Sequence, residues 1–269
     1  MKADVSKSKY QVPNLERALK IMEHLAANRS SLTMAEIARA LKYPNNSVFR
    51  IVSTLEEHGY LIREPESKNY NLSRKLLSLG YQALGESSLT EKALDILRSL
   101  RDATKETALL GTLLEGEGVV LDQVLSNEPI KFMVSPGTRY SLHTAAPAKA
   151  ILAFLNEEEQ EHQISKIKFT RFNKKTITCA TDYRKELKKV GRQGYATDLE
   201  EEADGIMCFA APVFDYRGSP VAALWITGPV FRLKDKKHDE LGLLIIRHAR
   251  QLSSRLGCQE NITSNLIKK

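Results

Sequence analysis

Residues 45–62, NNSVFRIVSTLEEHGYLI, constrain the fold of this chain more than any other stretch. Val48, Ile51, Val52 and Leu55 recur at i, i+3, i+4 and i+7, which gives a helix one apolar stripe to bury. Opposite that stripe fall Asn46, Arg50, Ser53 and Glu57, with Ser47, Phe49 and Thr54 beside them. A helix that merely faces water favours Glu, Lys and Ala. Asn and Ser compete with the helical backbone for hydrogen bonds, and a solvent-facing Phe adds nothing to solubility. A face of this composition implies a surface that contacts something.

The flanking residues say what kind of fold presents it. Leu15, Ala18, Leu19, Met22, Leu25 and Ala26 predict a first helix with these side chains on its packed face. Thr33 and Glu36 form a capping-box pattern that starts a second helix, with Met34, Ile37, Ala38 and Leu41 inward. LKYP then turns the chain, Pro44 suits the first turn of the third helix, and Gly59 follows its end near His58. Two alternating runs, Tyr60–Arg63 and Lys68–Leu72, flank the turn-rich Glu64–Ser67 and predict a hairpin. Helix, helix, turn, helix and hairpin in this order predict a winged helix-turn-helix over residues 11–73.

In that motif the second helix of the pair enters the major groove of double-stranded DNA. Asn45, Asn46, Ser47, Phe49, Arg50 and Ser53 are therefore candidate DNA contacts: Asn suits adenine, Arg suits guanine, and an exposed Phe suits a thymine methyl. Arg63 and Lys68 on the predicted wing are candidate contacts to phosphates or the minor groove, with Glu64 and Glu66 opposing them. Charge supports the reading. Residues 1–85 hold thirteen Lys and Arg against eight Asp and Glu, whereas the rest holds 27 against 25. The basic excess is concentrated where nucleic acid is expected.

Beyond the hairpin, residues 74–90 predict a linker helix with Leu76, Leu79, Gly80 and Ala83 on one face, and another helix follows around Leu89–Thr104. From Thr107 the texture changes. ALLGTLLEGEGVVLDQVL predicts a hairpin about Gly116–Gly118, IKFMV a further strand, and GIMCFAAPVFDYRGSPVAALWITGP two apolar strands about a turn. AAPAKAILAFL and DYRKELKKVGRQ predict helices, and a last amphipathic helix carries Leu241, Leu244, Ile245, His248, Leu252 and Leu256. A second α+β domain is expected over residues 91–257, with residues 258–269 as a tail.

With 42% hydrophobic and 27% charged residues, the chain is expected to be a soluble globular protein. It has no apolar run of membrane length and no secretory h-region, so a cytoplasmic location without membrane contact is expected. Cys179, Cys208 and Cys258 stand too far apart for a disulfide framework or paired metal ligands, and neither metal nor cofactor is expected. His143, Asp198 and Cys208 contain the residue types of a nucleophilic triad. There is no nucleophile elbow, however, and Cys208 lies in the apolar run IMCFAA of a buried thiol, so an enzyme is not expected. DLEEEAD reads as a solvated acidic turn.

NLERALKIMEHLA, LTMAEIARAL, NNSVFRIVSTLEEHGYL and KNYNLSRKLLSLG resemble, in order, the DNA-binding domain of the IclR family of bacterial transcriptional regulators. YSLHTAAPAKAILAFL, RQGYATDLEEEADGIMCFAAPVFD and AALWITGP resemble that family's effector domain, so the likeness spans roughly residues 13–257. It implies a GAF-like antiparallel-sheet domain that binds a small metabolite such as an organic acid, and a homodimer or homotetramer on an inverted-repeat operator. Carried over by position, the pocket would draw on Ala145 and Ala146 beside Pro147, on Asp198, Ile206 and Cys208, and on Trp225 and Thr227. His143 is a structural or pocket-lining residue in this reading. Two positions depart from the pattern: Ala148 replaces a glycine before Lys149, and Trp225 replaces a small polar residue, which implies a smaller pocket or a flatter, more apolar ligand. The competing expectation is a small-molecule sensor that does not bind DNA.

Overall fold

The computed structural model describes residues 12–28, 31–76, 78–79 and 89–259, and the chain divides into two compact units, 1–88 and 89–269. In the first unit, α1 (Pro13–Ala27), α2 (Met34–Leu41) and α3 (Asn45–Glu57) precede an antiparallel hairpin of β1 (Leu61–Arg63) and β2 (Tyr70–Leu72). The capping box at Thr33 is complete: its hydroxyl accepts from Glu36 N, and the Glu36 carboxylate accepts from Thr33 N at 2.8 Å. Pro44 takes the N-cap position of α3 and Gly59 adopts the left-handed φ of 73° just past its end.

Ile21 and Leu25 of α1, Ile37 and Ala38 of α2, and Val48, Ile51 and Val52 of α3 bury against Leu61 and Tyr70 of the hairpin. The packed face of α1 is rotated from the one its pattern predicts. Ile21, Leu25 and Ala18 meet the core, whereas Leu15 and Leu19 remain 58% and 47% exposed. Two adjacent stripes of apolar residues compete on this helix, and only tertiary contact selects between them. Residues 75, 76, 78 and 79 are helical, while residue 77 and residues 80–88, including Gly80 and Ala83 of the expected linker helix, lie outside the described residues.

The second unit is built on one antiparallel sheet of order β5-β4-β3-β8-β7-β6. Its strands are β3 (Thr107–Leu114), β4 (Glu117–Val124), β5 (Arg139–Tyr140), β6 (Ala196–Leu199), β7 (Ile206–Phe214) and β8 (Pro220–Pro229). The helices are α4 (Leu89–Thr104), α5 (Ala146–Leu152), α6 (Glu157–Lys166), α7 (Ala180–Gln193), α8 (Val230–Leu233) and α9 (His238–Arg255). The central strands β7 and β8 are apolar at nearly every position because both faces are covered. Ile96, Leu97 and Leu100 of α4 and Ile245, Ala249 and Leu252 of α9 pack on Phe209, Leu224 and Ile226. On the opposite face, Ala146, Ala150 and Ile151 of α5 and Val190 of α7 pack on Leu109, Ala210, Ala223 and Trp225.

One expected strand is absent. IKFMV forms no ladder; the chain from 125 to 138 runs as a strap between β4 and β5. Side chains replace strand pairing there: the Phe132 carbonyl accepts from Thr107 Oγ1 at 2.8 Å, and Val134 N donates to Gln123 Oε1 at 3.0 Å. Ile130 and Met133 point outward, while Phe132 and Val134 turn toward a cavity described below.

Candidate functional site

On α3, burial of Val48, Ile51 and Val52 leaves Asn45, Asn46, Phe49 and Arg50 exposed, with Phe49 at 56%. Ser47 and Ser53 are half-buried. Ser47 Oγ accepts from Arg17 Nη1 of α1 at 3.0 Å, and the Arg17 guanidinium stacks over the Tyr43 ring at 5.6 Å. Arg17 was not legible as part of this surface, because its role depends on a residue thirty positions away. On the wing, Arg63 is exposed and lies over the Tyr70 ring at 5.6 Å; Lys68 is exposed with φ of 61°. Glu64 is turned inward against its own hairpin, where its carboxylate accepts from Ser67 Oγ and from Asn71 Nδ2 at 2.7 Å. Its charge is thereby engaged locally rather than set beside Arg63.

In the second unit, register brings together residues far apart in sequence. Asp198 of β6 pairs with Cys208 of β7, Cys208 pairs with Thr227 of β8, and Thr227 pairs with Thr107 of β3. These four form one row across the sheet, and Trp225 stands two residues along β8 on the same face. Asp198, Cys208, Thr227, Trp225, Ile206 and Ala145 line a cavity of about 200 Å3, together with Pro147. The remaining wall comes from residues the sequence did not single out: Val120 and Tyr140, the strap residues Phe132, Val134 and Thr138, and Glu202 and Ala203.

The other two predicted pocket residues lie elsewhere. Ala146 is fully buried in the packing between α5 and the sheet. His143 lies between Phe169 and Phe172, donates from Nε2 to the Thr170 carbonyl at 3.0 Å, and lines a separate neighbouring cavity.

Aromatic packing sets the cavity's size. The Tyr140 and Trp225 rings meet edge-on with centroids 5.7 Å apart, and Tyr140 donates to the Thr112 carbonyl at 3.2 Å. Glycine makes this possible at Gly118, where a Cβ would lie 1.9 Å from the Tyr140 ring. Gly111 does the same beneath Trp225, since a Cβ there would meet the indole at 2.9 Å.

The polar wall is acidic. Asp198 Oδ1 accepts from Glu201 N at 2.7 Å, so this carboxylate both lines the cavity and closes the turn. Burial raises Asp198 to about 6 despite that bond and despite Lys149. Glu201 is likewise raised to about 7, mainly by burial. Lys149 is fully buried on α5; its ammonium pairs with Glu201 and donates to the Thr197 carbonyl at 2.8 Å. DLEEEAD is thus solvated as expected at Glu202, Ala203 and Asp204, but Asp198 is buried and Glu201 half-buried, which ties the turn to α5. Glu202 accepts from Thr144 Oγ1 at 2.5 Å.

Cys208 Sγ lies 3.3 Å from Thr227 Oγ1, and burial pushes its thiol well above the usual range, which removes thiolate character. Its hydrogen bond to Thr227 and that of His143 to Thr170 give no nucleophile–base pair. Among the described residues no group of three or more His, Cys, Asp or Glu is placed to hold a metal ion, and no helix is long and apolar enough to cross a membrane.

Comparison with known proteins agrees with both units. Residues 14–65 match the IclR helix-turn-helix domain, and residues 81–254 match the family described as bacterial transcriptional regulator IclR C-terminal. The HTH-type transcriptional regulator BhcR of Paracoccus denitrificans is 32% identical over 240 residues, which is 89% of this chain and 85% of that protein. The regulator KdgR of Escherichia coli is 30% identical over 255 residues, 95% of this chain and 97% of that protein. The crystal structure of the Thermotoga maritima IclR superposes with a TM-score of 0.73 at 29% identity, covering 92% of this chain and all of that one. The chain belongs to the IclR family of bacterial transcriptional regulators, in which a helix-turn-helix domain that binds DNA is joined to a C-terminal effector-binding domain.

Proposed function

We propose that this regulator binds an inverted-repeat operator as a homodimer or homotetramer in the cytoplasm, and that a small organic acid in the cavity at Trp225 controls its operator affinity. The observation that carries the DNA-reading part is the face of α3. Asn45, Asn46, Phe49 and Arg50 are exposed along its first turns, with Thr54 and Glu57 further on, while Val48, Ile51 and Val52 on the opposite side are buried. Each bidentate side-chain contact to a base contributes about 1–3 kcal/mol of discrimination. Val12, Leu15 and Leu19, exposed along the first half of α1, support association with a second copy.

The effector assignment rests on size and chemistry. A cavity of about 200 Å3 lies below the roughly 300–1,000 Å3 of pockets for drug-sized ligands, which suits a small metabolite. Trp225, Val120 and Ile206 supply the apolar wall, and Thr227 and Asp198 supply groups for a hydroxyl. Raised to about 6, Asp198 takes up a proton more readily than an ordinary carboxyl, which lessens its repulsion of an acid ligand.

Effector control requires that the ligand favour one arrangement of paired DNA-binding domains over another. The segment joining the two units is the element to carry that bias. The test is fluorescence anisotropy with the regulator's own upstream DNA and with a scrambled duplex, across salt and with a panel of small carboxylates. Tight cognate binding that a carboxylate shifts supports the proposal. Equal, weak binding to both duplexes rejects that operator, and carboxylate binding without any tight duplex supports a sensor that does not read DNA.

A further inference from the structure

A second cavity, of about 400 Å3, adjoins the effector pocket, and the two share Tyr140 and Glu202 in their walls. Its outer rim has a different chemistry from the acidic, apolar inner pocket. Arg139, Lys166 and Lys168 line it and are exposed. Arg139 is paired with Glu117, whereas Lys166 and Lys168 form no ion pair among the described residues. The carboxylates in the lining are Glu117, held by Arg139, and Glu202, held by Thr144. The Thr144 hydroxyl leaves the charge of Glu202 in place, so three cations face two carboxylates and the recess carries one net positive charge beside a wall it shares with the effector pocket.

We propose that this recess is a cationic antechamber through which small anions reach the inner pocket, passing between Tyr140 and Glu202. The idea extends the effector reading and rests on it. A net positive lining raises the local concentration of anions and speeds their entry, an effect that salt suppresses. The inner pocket has no Lys, Arg or His in its lining, so without the antechamber an anion would meet Asp198 and Glu202 with no attractive charge on the way. Tyr140 is suited to the partition because its ring packs over Gly118 and edge-on to Trp225. Rotation of one side chain, rather than unfolding of a strand, then opens the passage.

The chain provides its own reporter. Trp225 is the single tryptophan and is only 4% exposed, so its quenching measures access to the inner pocket. The experiment compares Stern–Volmer quenching by iodide, caesium and neutral acrylamide, at fixed ionic strength, in the full chain and in Lys166→Glu/Lys168→Glu. Expected is a fall of about twofold or more in the iodide constant, with caesium raised and acrylamide unchanged. Lys188→Glu/Lys189→Glu on α7, which makes the same change in net charge outside this lining, is expected to leave all three unchanged. An iodide constant equal in the full chain and the Lys166/Lys168 variant overturns the proposal. So does an equal fall in the control pair, or a parallel loss of acrylamide quenching. Because iodide is the probe, the outcome does not depend on knowing the effector: an iodide effect in a chain that binds no carboxylate would keep the antechamber and reject the effector assignment.

Discussion

Asp198→Asn is expected to stabilise the effector domain above neutral pH while damaging its pocket. Asp198 sits on β6 with its Oδ1 accepting from Glu201 N, a bond that an Asn carbonyl preserves. Burial raises its pKa from 3.8 to about 6, equivalent to about 3 kcal/mol between the folded and unfolded carboxyl. The sign follows from proton counting. Between pH 4 and 6 the folded chain retains a proton that the unfolded chain has lost, so stability falls as pH rises through this window and stays lowered above it. Glu201, raised to about 7 by the same burial, interacts with Asp198 and extends the fall toward neutrality. That coupling divides the cost between two groups, so about 1–2 kcal/mol is expected from Asp198→Asn alone. The assay is equilibrium urea unfolding followed by Trp225 fluorescence, which reports only on the second unit, at pH 5 and pH 8. The variant should exceed the parent at pH 8 and the gap should shrink at pH 5. Equal stability at pH 8, or a gap independent of pH, would refute the burial argument.

Gly118→Ala drives a Cβ into the Tyr140 ring and should cost about 1–3 kcal/mol in thermal or urea unfolding, with Tyr140 displaced from Trp225. Trp225→Ser should lose about 3–5 kcal/mol of stability and shift preference toward larger or more polar acids, read by isothermal titration against a carboxylate panel; unchanged preference and affinity would remove Trp225 as a selector. Lys149→Met strands the Glu201 carboxylate and should cost about 3–5 kcal/mol by denaturant titration, most of it recovered in Lys149→Met/Glu201→Gln. Arg50→Ala should lose about 1–3 kcal/mol on cognate DNA with little change on scrambled DNA, whereas Arg63→Ala and Lys68→Ala should weaken both and lower the salt dependence; anisotropy titrations separate the two patterns.

The helix-turn-helix was legible because its signals are local. The stripe on α3, the Thr33–Glu36 box and Gly59 each act within a few residues, and the exposed face is whatever the stripe leaves over. The cavity at Trp225 was legible only in part. Asp198, Cys208, Trp225 and Thr227 were carried over by family likeness, and strand register explains why they meet. Tyr140, Phe132, Val134 and Glu202 gave no such signal, because a strap and a two-residue strand have no periodicity to read. IKFMV misled for the related reason that alternation shows which side chains share a face, not whether a partner strand is present. The same limit applies to α1, where two apolar stripes fit the pattern and packing chose the one through Ile21 and Leu25.

By itself the sequence determined helices α1 to α5, α7 and α9, the Thr33–Glu36 cap, the polar face of α3 and the apolar runs of the central strands, all consequences of spacing and composition within single elements. The tertiary structure alone decided that Lys149 lies buried beside Glu201, fifty-two residues away, that burial raises Asp198 to about 6, and that Tyr140 forms the wall shared by two cavities. Burial and electrostatic environment depend on what the rest of the chain packs against each group, and no local pattern encodes that.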